Sequence, residues 1–261
     1  MANAMVIDDI LLQFVTVDLK IYDKLFLSLE DSMILLDNWL LFNNFNACEY
    51  ITNLFNVLTK AADKVNVFLL MGPSNSGKTM MLIQPLSLLV SNVGRIPSLN
   101  AAANNFVWQD CLNTNMICID ECVIQPGSFE EAKQIFAGED TSINVKHQPQ
   151  AVLKRTPIIA CTNRQPWVFA PNERDALLNR MYMYQTTRPF DQLADYAQYS
   201  LSPKVYTLLF AWYSKGVLNE RWNRFIEDSR SIEASYNELY AEYDNITAED
   251  YSNGFLVPSA D

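Results

Sequence analysis

Histidine is almost absent: His147 is the only one among 261 residues. One imidazole cannot furnish a metal cluster or, by itself, a catalytic triad. Basic residues are scarce too, 19 Lys and Arg against 30 Asp and Glu, for a formal charge of −11. That disfavours a broad basic face for nucleic acid, so any such contact must be local and shielded from the rest of the surface. Charged residues amount to only 19% and hydrophobic ones to 49%, which argues against a disordered chain and leaves enough apolar material for a sizeable core. No apolar run reaches the length of a membrane span, and no membrane partner is expected. The N-terminal residues carry acids where a secretory leader has a basic flank, so no signal peptide is expected. The five cysteines (Cys48, Cys111, Cys118, Cys122 and Cys161) are odd in number and irregularly spaced. Cys118 and Cys122 lack the second pair that a zinc site needs, and reduced thiols in a reducing compartment are expected. Neither Gly nor Pro occurs before Gly72, which suits a compact helical module in the first part of the chain.

What is present begins with Gly72-Pro73-Ser74-Asn75-Ser76-Gly77-Lys78-Thr79, a fit to the phosphate-binding loop G-x-x-x-x-G-K-[ST]. Val65 to Met71 before it is apolar and β-prone, and Met80 to Ile83 after it opens a helix. In this context the glycines let backbone N–H groups converge on a phosphate, with the helix N-terminus adding its dipole. Lys78 supplies charge for the β- and γ-phosphates of a bound nucleotide, and the Thr79 hydroxyl is a ligand for Mg²⁺. Residues 1–63 read as helical, with apolar runs at Ile10–Val15, Met33–Phe42 and Ile51–Leu58. Their apolar faces suit packing on the next domain or self-association. From 64 onward strands and helices alternate, with strands expected at Val93–Leu99, Met116–Glu121, Arg155–Thr162 and Met181–Tyr184 and a helix at Phe129–Phe136. Such alternation predicts a parallel α/β sheet with the loop at its carboxyl edge. Residues 191–245 return to helix around Leu208–Tyr213, and an acidic, aromatic end follows from Asn237.

Around the loop, Asp120 and Glu121 end an apolar strand in the manner of a Walker B site. Asp120 is assigned to the metal and Glu121 to activating water for γ-phosphate hydrolysis, on the ground that strand neighbours face opposite sides. Asn163 ends the next strand, where an amide can bond a γ-phosphate oxygen or orient the water; it also suits a plain turn. Arg180 opens the strand after that. In oligomeric rings an arginine there can reach the neighbour's γ-phosphate, a role for which Arg164, Arg174 and Arg188 compete. Thr141 to Gln150 alternates as a hairpin does, and Lys146 and His147 at its tip suit phosphate contact or an ordinary exposed loop.

These residues together carry a resemblance. From about 64 to 190 the chain resembles the superfamily 3 helicase domain of small DNA viruses, most closely that of the parvovirus large non-structural initiator protein, densoviruses included. Gly72–Thr79 is similar to motif A, Asn105-Phe106-Val107-Trp108-Gln109-Asp110-Cys111 to the segment ahead of motif B, and Ile117–Glu121 to motif B, with Asp-Glu where many relatives have two glutamates. Glu131–Gly138 followed by Val145-Lys146-His147 is similar to motif B′, Thr156–Asn163 to motif C, and Leu178–Tyr184 to the arginine-finger strand. The resemblance implies a modified AAA+ P-loop ATPase with a central parallel β-sheet flanked by helices. It implies an N-terminal helical oligomerisation module (1–63), an ATPase core (64–190), a C-terminal helical segment (191–261) and a hexameric ring. It implies ATP and Mg²⁺ as cofactors, ATP bound between subunits with Arg180 supplied in trans, and single-stranded DNA gripped by Lys146 and His147. Movement 3′ to 5′, replication and packaging of viral DNA, and a host nucleus follow from the same likeness. Relatives carry an origin-nicking endonuclease domain with a His-rich metal site. One histidine cannot build it, so a fragment, or a product lacking that domain, is expected.

Other readings compete. An RNA-directed superfamily 3 ATPase shares the fold but often carries basic amphipathic membrane helices, and none is seen. A nucleotide-gated packaging or assembly adaptor would hydrolyse ATP without unwinding. A small-molecule kinase leaves the order of Asn163 and Arg180 unexplained.

Overall fold

Val67–Met71 is buried at every position, as a strand covered on both faces must be. This is β1 in a computed structural model that describes residues 25–97, 99, 105–194, 196 and 199–227. The apolar run Ile10–Val15 and the tail from Asn237 lie outside those residues. Ahead of β1 stand α1 (Leu29–Phe42) and α2 (Ala47–Leu58). Each starts on a side-chain cap: Ser28 accepts from the Asp31 N–H and Asn46 from the Glu49 N–H. Such caps satisfy N–H groups that the first turn leaves open, and the acids Glu30, Asp31 and Glu49 suit the positive helix end.

After β1 a wide π-helical turn, Thr79–Ile83, runs into α3 (Gln84–Leu89). Then come β2 (Val93–Ile96), β3 (Met116–Ile119), α4 (Phe129–Phe136), the hairpin β4 (Thr141–Ile143) and β5 (Ala151–Leu153), β6 (Ile158–Thr162), α5 (Arg174–Leu178), β7 (Met181–Gln185), α6 (Lys204–Ser214) and α7 (Leu218–Glu227). The main sheet has the order β2-β3-β6-β1-β7, all parallel. This is the α/β architecture expected. The loop strand β1 and the acidic strand β3 therefore flank β6, and all three deliver their ends to one carboxyl edge.

Alternation along the strands divides the core. Phe68, Leu70, Cys118, Ile159 and Cys161 share one apolar cluster with α1, α2, α3, α6 and α7. Val67, Leu69, Ile117, Ile119, Ile158 and Ala160 share the other with α4, Trp108, Trp167 and Ile143 and Leu153 of the hairpin. The apolar face of the N-terminal helices is thus turned onto the sheet of its own chain. Cys111, Cys118, Cys122 and Cys161 are buried and free, and burial pushes the thiols of Cys111, Cys118 and Cys122 up to about 12. No helix among the described residues is long and apolar enough to cross a membrane.

Three strands are shorter than the sequence pattern suggests. β2 stops at Ile96, and Leu99 instead bridges Ile124; Pro97 has no N–H to continue the ladder. β6 begins only after Pro157. β3 ends at Ile119, so Asp120 and Glu121 stand beyond the ladder, and strand alternation does not set their directions.

The opposite, amino-terminal edge is closed around Asn66, which is fully buried. Its amide donates to the carbonyls of Ile135 at 3.1 Å and Thr156 at 2.8 Å, and Arg155 approaches its Oδ1 at 3.4 Å. One side chain thereby joins the end of α4, the entry to β6 and the entry to β1. Replacing it by leucine of similar volume removes both bonds: the Thr156 carbonyl loses this donor, while the Ile135 carbonyl keeps the Gly138 N–H. Asn66→Leu should destabilise the fold by about 2–4 kcal/mol, read from urea unfolding.

Candidate nucleotide site

The loop after β1 is shaped by residues distant in sequence. Gly72 has φ +156°, and a Cβ there would lie 1.9 Å from Thr186 Oγ1, so only glycine fits. Gly77 has φ +91°, and its missing Cβ leaves room for the Trp39 indole, whose Nε1 would lie 2.7 Å away. That same Nε1 donates to the Ser76 carbonyl at 2.7 Å. Thr186, just past β7, lies 2.8 Å from Ser76 Oγ, hydroxyl to hydroxyl, and the Phe190 N–H donates to the Asn75 carbonyl at 3.0 Å. The Tyr206 hydroxyl of α6 donates to the Met81 carbonyl in the π-helical turn. Trp39 and Tyr206 are themselves fully buried.

Lys78 is nearly buried. Its ammonium donates to the carbonyls of Gly72 at 2.8 Å and Pro73 at 2.6 Å and to Asn163 Oδ1 at 3.1 Å. Burial pulls its pKa below the ordinary lysine value, while Cys161 and Glu121 oppose that. Across the cleft, Glu121 Oε1 lies 3.1 Å from the Thr162 hydroxyl and accepts the Asn163 N–H at 3.2 Å. Ser74 to Thr79, Asp120, Glu121, Cys161 and Asn163 line one cleft of about 320 Å³. Lys78, Thr79, Asp120, Glu121 and Asn163, far apart in sequence, are thus brought together. Gly72 and Pro73 lie behind the cleft, giving their carbonyls to Lys78. The Thr79 hydroxyl and Asp120 carboxylate are hard oxygen donors of the type that holds Mg²⁺, and an ammonium among loop N–H groups fits a polyphosphate.

The remaining candidates lie elsewhere. Arg180 precedes β7, at the amino-terminal edge of the sheet. Its Nε donates to the Lys133 carbonyl at 3.0 Å, and its Nη1 donates to that of Ala176. It thereby serves the end of α4, while the Glu173 carboxylate is taken by Lys133 at 3.0 Å. Lys146 and His147 are exposed at the hairpin tip, His147 in the left-handed region at φ +58°. The Lys146 N–H donates to Gln109 Oε1 at 3.2 Å, which ties the tip to the segment ahead of β3. Lys154 is paired with Asp140 at 2.6 Å, and Arg155 faces the carbonyls of Ala62 and Val65. Trp39, Thr162, Thr186 and Tyr206 are the residues sequence reasoning missed. Trp39 reads as core in its apolar run, and an isolated Thr or Tyr gives no local signal.

The parvovirus non-structural protein NS1 family matches residues 31–194, more than half of the chain. The chain belongs to that family. The initiator protein NS1 of Junonia coenia densovirus is 30% identical over 168 residues, covering 64% of this chain and 29% of the relative. That of porcine parvovirus strain NADL-2 is 34% identical over 126 residues, 48% of this chain and 18% of the relative. The chain thus spans under a third of the length of these curated NS1 relatives. Among solved structures, the JCV helicase bound to a small molecule has a TM-score of 0.55 at 16% identity, covering 91% of this chain and 72% of that one. A second JCV helicase structure gives 0.54 at 14% identity. At such identity the likeness shows a shared fold, and the parallel sheet with flanking helices is that fold.

The indole bond to Ser76 gives a direct test of how the loop is held. Trp39→Phe keeps an aromatic ring in the core and removes the N–H. The lost bond corresponds to about 1 kcal/mol, or roughly fivefold to tenfold weaker binding of a nucleotide, measurable by titration with a fluorescent nucleotide.

Proposed function

We propose that this chain is the motor region of a parvoviral initiator: an ATP-dependent DNA helicase that works as a hexameric ring on single-stranded DNA in the host nucleus. The observation that carries the reading is the convergence of Lys78, Thr79, Asp120, Glu121 and Asn163 on one cleft in a member of the NS1 family. ATP is the nucleotide and Mg²⁺ its counter-ion, held by Thr79 and Asp120. Lys78 and the loop N–H groups of residues 72–79 bind and orient the phosphates. Glu121 takes the proton from the attacking water, and Asn163 fixes the water or a γ-phosphate oxygen. In these roles positioning and electrostatics supply most of the acceleration.

Arg180 is assigned to the neighbouring subunit's nucleotide. A guanidinium has more N–H donors than the carbonyls of Lys133 and Ala176 occupy, so it can serve α4 and a partner's phosphate together. Lys146 and His147 are assigned to DNA phosphates in the ring's pore. The hairpin's other basic residues already have partners, and a charge of −11 permits only such a narrow contact. Travel 3′ to 5′, viral replication and packaging, and ring assembly through the N-terminal helices complete the proposal.

The test is steady-state ATP hydrolysis with and without single-stranded DNA. Lys78→Ala should reduce hydrolysis by at least about a hundredfold, and Lys146→Ala should diminish the stimulation by DNA. Hydrolysis indifferent to DNA at every protein concentration would overturn the helicase reading in favour of an assembly adaptor; stimulation by RNA alone would favour an RNA-directed ATPase.

A further inference from the structure

Thr162 stands where three parts of the cleft meet. It ends β6, the strand between β1 and β3. Its carbonyl accepts the Gly72 N–H at 3.0 Å, at the start of the loop. The residue is 1% exposed, and its hydroxyl lies 3.1 Å from Glu121 Oε1 and 2.8 Å from the Arg164 carbonyl and accepts the Arg164 N–H at 3.1 Å. A threonine hydroxyl has one hydrogen. It goes either to the Arg164 carbonyl, the nearer acceptor at 2.8 Å, or to the Glu121 carboxylate at 3.1 Å, where the bond gains from charge assistance.

Glu121 needs such a hold. It stands past the end of β3; its backbone is still tied to β6 by the Cys122 N–H on the Cys161 carbonyl at 3.0 Å, so side-chain partners decide where its carboxylate points. Its Oε1 has the Thr162 hydroxyl and the Asn163 N–H as partners, while Oε2 has only a 3.5 Å approach from Asn163 Nδ2. One oxygen is therefore anchored against the strand end, and the other is the freer to act in the cleft.

Resting on the reading of Glu121 as the base for water, we propose that Thr162 is a positioning residue for ATP hydrolysis: its hydroxyl holds Glu121 Oε1 so that Oε2 is presented to the water. The hydroxyl's second acceptor, the Arg164 carbonyl, makes the hold releasable. If the Arg164 turn draws the hydrogen away, Glu121 keeps only the Asn163 N–H on Oε1.

Thr162→Val and Thr162→Ser on the full chain separate this from packing. Valine keeps the shape and removes the hydroxyl; serine keeps the hydroxyl and removes a methyl. For Thr162→Val the expected result is kcat lowered by roughly tenfold to a hundredfold, with KM for ATP, nucleotide affinity and melting temperature close to wild type. Thr162→Ser should recover most of the rate. The inference is overturned if the valine variant turns over at the wild-type rate, if it loses nucleotide affinity in step with rate, or if serine is no better than valine. A wild-type chain that binds ATP and hydrolyses none overturns the underlying ATPase reading and this inference with it. An active wild type with an unaffected valine variant overturns this inference alone.

Discussion

The Gly72 N–H and the Thr162 carbonyl, 3.0 Å apart, close the ladder between β1 and β6, and the cleft is arranged around that bond. It ends the strand pairing at one level, so the phosphate loop leaves β1 where Asn163 leaves β6. The neighbouring strand β3 delivers Asp120 and Glu121 to the same edge because β6 lies between it and β1. A different strand order would carry the same motifs to different places. The main constraint is the burial of β1 and β6 at every position, which requires cover on both faces, the condition under which parallel sheets occur.

Much of this was legible because it is local. The loop motif, the apolar strands and the helix at Phe129–Phe136 are each written in consecutive residues, and the structure places that helix as expected. Prolines mark the differences at β2 and β6: Pro97 and Pro157 offer no N–H to a ladder, although the Pro157 carbonyl still accepts the Ile117 N–H at 2.9 Å. The bracing of the loop was not legible. Trp39 is one apolar residue among many in α1, and nothing in its neighbourhood tells that its indole N–H points at Ser76. The bonds of Arg180 to the Lys133 and Ala176 carbonyls were equally hidden, because a carbonyl acceptor has no residue identity.

Charge tells a related story. The sequence count suggested that any nucleic-acid contact must be narrow, and the structure ties up part of the basic group on the hairpin. Lys154 is held by Asp140 and Arg155 by the backbone of residues 62 and 65. Lys146 and His147 at the hairpin tip are exposed and in no ion pair among the described residues, whereas Lys154, also exposed, is paired. A single copy would neutralise few phosphates and bind weakly, with strong sensitivity to salt, whereas several copies around one strand would add their contacts.

The bracing of the loop also bears on how much of the chain its shape depends on. The loop is short, yet the partners that shape it are 37 residues from Ser76 in the case of Trp39, 110 for Thr186 and 125 between Tyr206 and Met81. Contacts of such separation carry a loop-closure cost that must be met before they stabilise anything. During synthesis α1 emerges before the loop and α6 well after it. The loop's shape therefore belongs to the whole described chain: both of its ends must be docked on the sheet for the phosphate cradle to take the form seen here.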